Sequence, residues 1–403
     1  MHFYEEPCIS GTKGSGTVFF SNCNLKCVYC QNYEISQENT GEEITVEKLA
    51  KTFLKQQENG AHNINLVSPT PYVTFIIDAL KIAKENGLKI PVIYNTSGYE
   101  KVETLKMLEI YDDLGRDILA IPFTKGRKTD KEKFAGALET YSIEALMPDG
   151  KALQSGTTHY FGTGFAEAFG IKFQGRDGKL YNPHQTSWGV STRLLGAIIM
   201  VHGDDNGLSL PPYVAPIQAV VIPVAQQKPG VIPAARELER LLKDADIRVK
   251  LDESDKTPGW KYSEYEMKGV PLRIEIGPRD IEAGVVTIAV RHDGRKITVK
   301  KEEMVDTVKQ FFKQIHQEMY QKAYAYLLDH VTEVTNLDGF NKAMDKGGYA
   351  KMMWCGEQAC EDAIKEKFTA TARCLPFNQM LFSDTCPVCG KKAKKVVLFA
   401  KAY

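Results

Sequence analysis

The sequence predicts a multidomain protein of the α/β and α+β classes, and three observations lead to this prediction. The chain has 403 residues, of which 43% are hydrophobic, and this is more than one ordinary hydrophobic core accommodates. Short apolar runs alternate with helical patterns in the first part, whereas strand-like alternation begins at about residue 118. Seven of the nine cysteines form two groups at opposite ends of the chain. We therefore expect two to four domains, with metal ligands near both ends.

The first 110 residues show three strand–helix units. Three such units imply a parallel sheet equal to about half of a (βα) barrel, whose active edge lies at the carboxyl ends of the strands. Thr45 is a candidate N-cap of the first long helix. The expected strands and helices alternate along the chain at 17–20, 45–58, 64–67, 72–86, 90–94 and 100–110.

From about residue 118 the pattern changes to antiparallel strands and then to a second α/β unit. Polar and apolar residues alternate at 138–147 and 185–190, as in strands with one solvated face. Pro211 and Pro212 mark a domain boundary. The elements expected beyond it are a strand at 217–222, helices near 232–243 and 258–268, strands near 272–276 and 285–300, and a long helix over 302–331.

Composition argues against a membrane protein. Mean hydropathy is −0.29, and no apolar run reaches the roughly 18–20 residues that a bilayer span needs. The segment from Met1 to Glu6 lacks the basic and apolar regions of a signal peptide. Clustered cysteines are typical of metal ligands in a reducing cytosol rather than of a disulfide framework. A cytoplasmic location without a membrane partner is expected.

The zero net charge is the sum of two unlike parts. Residues 1–115 contain no arginine and carry a net charge of −5, whereas residues 116–403 carry +5. Such asymmetry can flag a nucleic-acid-facing region beside something else, and it excludes treating the chain as uniform, although an arginine-free stretch can also arise by chance.

Cys23, Cys27 and Cys30 form the pattern CxxxCxxC directly after the first expected strand. Three thiolates at this spacing can hold three irons of a [4Fe–4S] cluster and leave the fourth iron open. A three-thiolate zinc or structural site is the alternative. The pattern resembles the radical S-adenosylmethionine (SAM) family, and the segments 63–70 and 94–99 are similar to relatives of pyruvate formate-lyase activating enzyme.

The resemblance to the radical SAM family covers residues 1–103. It implies a [4Fe–4S] cluster with S-adenosylmethionine bound at the open iron, and it places Tyr29 near the adenine. The later strands of the family are missing, so that a partial radical SAM half-barrel is expected.

Residues 104–403 resemble prolyl-tRNA synthetase of the archaeal/eukaryotic-like type. The last matching segment opens a helix that reaches His202 and is similar to motif 3 of class II synthetases. The segments that carry the resemblance follow one another in order at 126–129, 134–137, 143–150, 153–159 and 188–193.

An adenylate-forming enzyme must neutralise a triphosphate and hold a carboxylate in line with the α-phosphorus. Arg193, at a helix start, can donate a fork of N–H groups to phosphate oxygens. The resemblance implies ATP with Mg²⁺ and proline as ligands, and Arg193, Gln154 and His159 as catalytic residues. The implied ATP contacts are Gln154, Thr157, Ser191 and Arg193. The implied proline contacts are Phe134, His159 and Ser191.

Motifs 1 and 2 of class II synthetases are missing from the sequence. The motif 2 arginine, which grips the α-phosphate of ATP, should lie upstream, yet the first arginine of the chain is Arg116. The resemblance therefore implies impaired or lost adenylation. Family members are homodimers through motif 1, so its absence argues against a homodimer.

Residues 213–331 resemble the anticodon-binding domain of the same family, on the segments 259–262 and 268–280. Lysine and arginine beside aromatic residues suit single-stranded RNA, whose bases stack and whose phosphates need neutralising. A solvated charged face is the alternative. The resemblance implies tRNA(Pro) as partner, and the candidate contacts are Glu266, Lys268 and Arg273.

Four cysteines near the C-terminal end have the layout of a zinc site. Cys355 and Cys360 form one pair, and Cys386 and Cys389 form a second pair after 25 residues. The resemblance implies a structural Zn²⁺ with four thiolate ligands. Cys374 is a competing ligand, and a redox-active dithiol is the alternative.

These observations predict four domains: a partial radical SAM (βα) half-barrel (1–103), a truncated class II antiparallel sheet (104–212), an α/β anticodon-binding domain (213–331) and a small zinc-binding α+β tail (332–403). Unpaired sheet edges are expected at the join between the two resemblances, near residues 103–109.

Three functions remain open. The chain is a proline–tRNA ligase-like protein with impaired activity, a radical SAM enzyme of the activating type, or a non-catalytic tRNA-binding chimera, which includes an artefact of sequence assembly.

Overall fold

Two units can be distinguished in the computed structural model, which describes residues 13–23, 32–38, 40–95, 112–175 and 177–403. The first unit comprises the N-terminal part up to residue 105, together with 135–138 and 159–187. The second unit comprises the remainder. Among the described helices, none has both the length and the apolar character that crossing a membrane requires.

A three-stranded parallel sheet forms the N-terminal part. Its strands run in the order β1-β2-β3, and Ile64 lies opposite both Gly16 and Val92. The elements are β1 (Gly16–Phe19), α1 (Tyr33–Gln37), α2 (Val46–Glu58), β2 (Ile64–Val67), α3 (Val73–Glu85) and β3 (Val92–Asn95). The expected half-barrel sheet is therefore present, while the helix expected at 100–110 lies outside the described residues.

Helix α2 begins where the sequence predicts. The Thr45 hydroxyl accepts a hydrogen bond from the amide of Lys48 at 3.2 Å and so satisfies one of the free N–H groups of the first turn. Leu49 and Phe53 on its inner face are buried in one cluster with residues of β2 and α3. Burial of this apolar face holds the helix on the sheet.

The middle of the chain is mainly antiparallel. A π-helical turn (Gly115–Leu119) ends at Ala120, whose φ of 54° is left-handed, and both Leu119 and Ala120 are buried. The regular elements are β4 (Thr124–Arg127), β5 (Glu139–Leu146), β6 (Ala152–Gly162), α4 (Gly164–Ala168), β7 (Phe173–Gln174), β8 (Leu180–Tyr181), β9 (Gln185–Val190) and α5 (Arg193–His202). The predicted strands near 138–147 and 185–190 are confirmed.

The next part is a five-stranded mixed sheet of order β11-β10-β12-β13-β14. Its strands β10, β11 and β12 are parallel, and β12, β13 and β14 are antiparallel. The elements are β10 (Ala219–Pro223), α6 (Val231–Asp244), β11 (Val249–Leu251), α7 (Pro258–Met267), β12 (Leu272–Ile276), α8 (Pro278–Ala283), β13 (Val285–Val290), β14 (Lys296–Lys300) and α9 (Met304–Asp329). The predicted elements are found, and the region 285–300 is a hairpin of two strands.

The C-terminal tail completes the sheet of the middle part. Its elements are β15 (Val331–Val334), α10 (Leu337–Lys346), β16 (Tyr349–Trp354), α11 (Gln358–Phe368), β17 (Thr371–Pro376) and β18 (Lys395–Ala400). The strand order of the joint sheet is β15-β16-β18-β17-β4-β5-β6-β9. Leu375 of β17 lies opposite Arg127 of β4. The expectation of an unpaired edge is therefore wrong for β4, because a strand of the tail covers it.

A buried ion cluster fastens the tail to β4 and β5. Glu144, which is fully buried, accepts hydrogen bonds from Lys128 Nζ at 2.7 Å and from Arg373 Nη2 at 2.7 Å. Close by, the Thr129 hydroxyl donates to Glu361 of α11 at 3.0 Å, and burial raises the pKa of Glu361. The tail and the middle strands thus share polar contacts as well as a sheet.

Candidate functional site

The start of α5 and the first residues of β6 meet at the candidate ATP site. Nη1 of Arg193 donates to the carbonyl oxygen of Gln154 at 3.0 Å, and the Ser191 hydroxyl accepts from the amide of Arg193 at 3.3 Å. Leu194 and Ile198, on the opposite face of the helix, are buried and fix α5 on the sheet. Arg193 itself is exposed, so that part of its donor fork can meet an anionic ligand.

A shallow cavity of about 550 Å³ lies beside this corner and is lined by Ser191, Thr192, Arg193 and Tyr403 among others. Tyr403 is held there by two contacts. Its hydroxyl donates to Asp149 Oδ2 at 2.6 Å, and its amide donates to the carbonyl of Ala152 at 3.3 Å. The structure thus brings Gln154, Ser191 and Arg193 to one place with an open face.

The other residues of the implied ligase site lie on β6 and in the segment between β4 and β5. Thr157 and His159 lie on β6, and Thr157 is half-buried. Burial lowers the pKa of His159, which favours the neutral imidazole at neutral pH. Phe134 is half exposed, and its amide donates to the Thr140 hydroxyl at 3.1 Å. His159 belongs to the first unit and Phe134 to the second.

A partly buried cation–aromatic cluster lies between β12 and α7, where the Arg273 side chain is 17% exposed. The Arg273 guanidinium carbon is 4.0 Å from the ring centroid of Tyr262, and Arg273 Nε donates to Glu275 at 2.9 Å. The Tyr262 hydroxyl donates to the same carboxylate at 3.0 Å, and burial together with Glu275 raises the pKa of Tyr262 to about 12. Lys296 of β14 lies 5.7 Å from the Tyr262 ring. This arrangement offers cations beside an aromatic ring.

A cleft of about 180 Å³ adjoins this cluster and is lined by Tyr265, Glu266, Arg273, Arg291 and Lys296 among others. Two of the three predicted anticodon contacts, Glu266 and Arg273, therefore share one cleft. The third, Lys268, follows α7, is exposed, and pairs with Glu264 at 2.5 Å.

Lys261 is internal although it stands within one of the segments that suggested RNA contact. Only 1% of its surface is exposed, and its Nζ donates to the carbonyl of Asp252 at 2.8 Å. Its charge stabilises the loop after β11 and does not face solvent.

Four thiols converge in the tail. The sulfurs of Cys355, Cys360, Cys386 and Cys389 all lie within 4.8 Å of one another. The Sγ–Sγ distance is 3.6 Å between Cys355 and Cys360 and 3.7 Å between Cys389 and Cys355. A tetrahedral zinc ion with bonds of 2.3 Å separates its sulfur ligands by about 3.8 Å, so the thiols fit this ion.

The environment of the four thiols suits a closed metal site. Cys355, Cys360 and Cys386 are buried in the core of the tail beside residues such as Phe340. A backbone hydrogen bond from Lys391 lowers the pKa of Cys389 to about 7, which favours its thiolate, whereas burial raises the pKa of Cys355 and of Cys360. Cys374 is fully buried and belongs to a different cluster, so it does not compete as a ligand.

The structure describes one of the three cysteines of the CxxxCxxC pattern. Cys23 is half-buried and follows β1. Cys27, Cys30 and Tyr29 lie outside the described residues, as does Cys8. The position of Cys23 at the carboxyl end of β1 agrees with the edge at which parallel sheets carry their ligands.

Sequence reasoning did not single out Arg291, Lys296 or Tyr403. Arg291 precedes and Lys296 follows the Asp293–Gly294 turn, which lies within the expected strand region 285–300. Reading this turn as a hairpin was the available signal for placing the two cations beside β12. For Tyr403, no pattern in the sequence connects it to Ser191.

Comparison with known proteins identifies three parts of the chain. Residues 17–142 match the model of the radical SAM superfamily. Residues 218–311 match that of an anticodon binding domain, and residues 337–403 match that of the C-terminal part of prolyl-tRNA synthetase. The radical SAM match extends beyond residue 103, as far as β5.

Several curated relatives carry the name Proline--tRNA ligase. The protein of Lachnospira eligens is 54% identical over 309 residues, which are 76% of this chain and 64% of that protein. That of Clostridium botulinum strain Langeland is 53% identical over 313 residues, or 77% of this chain and 65% of the relative. That of Oceanobacillus iheyensis is 52% identical over 306 residues, or 75% and 63%.

The chain thus spans slightly less than two thirds of the length of these relatives. Both predicted resemblances, to the radical SAM family and to prolyl-tRNA synthetase, are confirmed. The prediction of a multidomain α/β and α+β fold with radical SAM and anticodon-binding domains and a tail with four clustered thiols is confirmed as well.

Proposed function

We propose that this chain is a proline–tRNA ligase-like protein that binds tRNA(Pro) through residues 213–331 and forms prolyl-adenylate poorly or not at all. The observation that carries the proposal is the cluster of Tyr262, Arg273 and Lys296 beside the cleft of Glu266, within the region that matches an anticodon binding domain. The name of the curated relatives supports proline as the amino acid.

The geometry of the cluster favours single-stranded RNA. Glu275 accepts from both Arg273 and Tyr262, and the guanidinium lies over the Tyr262 ring, so its position is fixed by three contacts. A held guanidinium pairs or stacks with an unpaired base, and Lys296 and Lys268 supply charge for phosphates. Glu266 offers a carboxylate to base amino groups.

Adenylation needs more positive charge than the candidate ATP site offers. We propose that Gln154, Thr157, Ser191 and Arg193 contact ATP and its Mg²⁺, and that Phe134, His159 and Ser191 contact proline. A second arginine on the α-phosphate is expected in a class II site, yet residues 1–115 contain no arginine. Without that charge the transition state loses several kcal/mol of stabilisation. The missing motif 1 likewise argues for a chain that does not form the homodimer.

One preparation tests both parts of this proposal. The purified chain is expected to bind tRNA(Pro), whereas Arg273→Ala is expected to weaken binding about tenfold, because one strong cation–base contact is worth about 1–3 kcal/mol. Binding is measured by fluorescence anisotropy at fixed salt. In the same preparation, proline-dependent ATP–pyrophosphate exchange is expected at background level.

Arg240→Ala is the matched control, since Arg240 lies on α6 and pairs with Asp244 on an exposed face. It should leave tRNA affinity within about twofold. Equal affinity of the wild type for tRNA(Pro) and for an unrelated tRNA would overturn the RNA part. Robust ATP–pyrophosphate exchange would overturn the claim of impaired adenylation. It would show that Arg193 is sufficient for adenylation or that another chain supplies the missing arginine.

We propose that the four thiols of Cys355, Cys360, Cys386 and Cys389 bind Zn²⁺ in a structural role. The spacing of the sulfurs supports a tetrahedral ion, and four thiolates leave no open position for a substrate.

A second candidate function is radical SAM chemistry, favoured by the match of residues 17–142 and by the parallel sheet β1-β2-β3. Here Cys23, Cys27 and Cys30 would hold a [4Fe–4S] cluster, with Tyr29 near the adenine of S-adenosylmethionine. When bound and reduced, such a cluster supplies the electron that cleaves the sulfonium. The chain's own contribution would be three thiolates and a parallel sheet edge.

Anaerobic reconstitution followed by dithionite reduction tests this second function. If this second function holds, the chain binds iron and forms 5′-deoxyadenosine, and both are lost when all three cysteines are replaced by alanine. A yield no higher than that of the variant would rule the second function out. A yield clearly above the variant would establish radical chemistry in this chain. Genomic reads that span codons 100–112 would separate a genuine fusion from an assembly artefact.

A further inference from the structure

Arg291 is a nearly buried arginine at the end of β13 that bonds to two different parts of the second unit. Its side chain is 5% exposed. Nη1 and Nη2 donate to the two carboxylate oxygens of Asp204 at 2.8 and 2.6 Å, and Nε donates to the carbonyl oxygen of Glu266 at 2.9 Å. A planar guanidinium with three such bonds holds both partners in one fixed geometry.

The first partner, Asp204, stands two residues after α5. The end of that helix is held by His202, whose Nε2 lies 2.9 Å from the carbonyl oxygen of Leu119. Asp204 and Gly207 exchange two backbone hydrogen bonds at 3.0 Å and form a tight turn. Arg291 therefore holds the segment in which the helix that begins at Arg193 ends.

The second partner, Glu266, lines the candidate RNA cleft, and Arg291 lines it as well. The backbone beyond α7 continues the contact, because the amide of Leu208 donates to the carbonyl of Met267 at 3.0 Å. Gly207 has a φ of 121°, and an added Cβ would lie 2.6 Å from the Met267 oxygen, so any other residue would separate the two segments. The cleft and the end of α5 are thus in direct contact.

We propose that Arg291 is a positioning residue that couples RNA occupancy of the cleft to the conformation of α5. This inference rests on the proposed function, since it takes RNA as the ligand of the cleft. RNA that contacts Glu266 or Arg273 restrains the end of α7. Through the fork of Arg291, the same restraint reaches Asp204 and stabilises α5, which presents Arg193 to the candidate ATP site. Coupling of this kind is a free energy shared between two sites.

Amide hydrogen exchange of the full chain tests the coupling, with an RNA hairpin that carries the tRNA(Pro) anticodon loop as the probe. In the wild type, saturating hairpin is expected to slow exchange in peptides covering residues 193–203 by about fivefold. In Asp204→Ala, the slowing should vanish while hairpin affinity, measured by anisotropy, changes by less than about threefold. Asp204 is 44% exposed and does not line the cleft, so the variant removes no direct RNA contact. Because it also leaves the 5%-exposed Arg291 without its carboxylate, the urea midpoint of the variant is measured alongside, and Asp204→Asn, which keeps an acceptor oxygen, serves as the milder replacement.

Asp205→Ala is the matched control, because it removes the same charge from the adjacent exposed position, for which the described residues provide no ion pair. It should retain the wild-type slowing. If the hairpin binds and residues 193–203 exchange at an unchanged rate, or if Asp204→Ala responds like the wild type, the coupling is disproved while RNA binding stands. If the hairpin does not bind the wild type, the proposed function fails and this inference fails with it.

Discussion

Replacing Cys355 by serine is expected to abolish metal binding and to unfold the C-terminal tail. Cys355 lies in the apolar core of the tail and within 3.7 Å of two other candidate ligands. A structural zinc site supplies folding free energy directly, and loss of one thiolate should cost more than about 5 kcal/mol. Metal content should fall from about one zinc per chain to nearly none, as measured by elemental analysis, and the tail should become sensitive to proteolysis.

Cys374→Ala provides the comparison, because Cys374 is equally buried but lies in another cluster. It should keep the full metal content even though it loses some packing. A wild-type protein that stays folded and resistant to proteases after a chelator has removed its metal would contradict the structural role. So would a Cys355→Ser protein that keeps its metal and its protease resistance.

Replacing Glu144 by glutamine is expected to lower the free energy of unfolding of the second unit by about 3–5 kcal/mol. Glu144 is fully buried, and its carboxylate compensates Lys128 and Arg373, whose side chains are 3% and 9% exposed. The amide leaves two cations away from water without an anion. Urea titration followed by tryptophan fluorescence measures the loss, and Trp354 reports on the tail.

Two comparisons separate this effect from general damage. Asp244→Asn breaks the exposed pair with Arg240 on α6 and should cost less than about 0.5 kcal/mol. A triple replacement of Lys128, Glu144 and Arg373 by apolar residues of similar size should recover most of the stability, since no unpaired charge remains. A change below about 1 kcal/mol for Glu144→Gln would show that water reaches the cluster.

Local features of the fold could be predicted from the sequence, because each depends on neighbouring residues. Thr45 caps α2 through a residue three positions away, and the alternation of Leu272–Ile276 places a strand within the anticodon-binding part. The same holds for the two cysteine pairs, whose spacing alone indicated that they share a site. Hydrophobic periodicity, helix caps and cysteine spacing can all be recognised within short segments of the sequence.

Features that join distant segments could not be predicted. Glu144 is a polar residue in an alternating strand, which suggests a solvated position, yet Lys128 and Arg373 cover it. The hydrogen bond from Arg373 to Glu144 joins residues that are 229 positions apart, so no local sequence pattern predicts it. Arg291 was missed for the same reason, because its partners Asp204 and Glu266 are remote in the chain and its role depends on where they meet.

The pairing of β17 with β4 has a consequence for the order in which the protein folds. During synthesis β4 leaves the ribosome long before β17, and until β17 arrives its edge exposes unpaired backbone groups. Contacts of such long sequence separation also form slowly once the chain is complete. The nascent second unit therefore passes through a period of open sheet edges, in which binding by chaperones competes with aggregation.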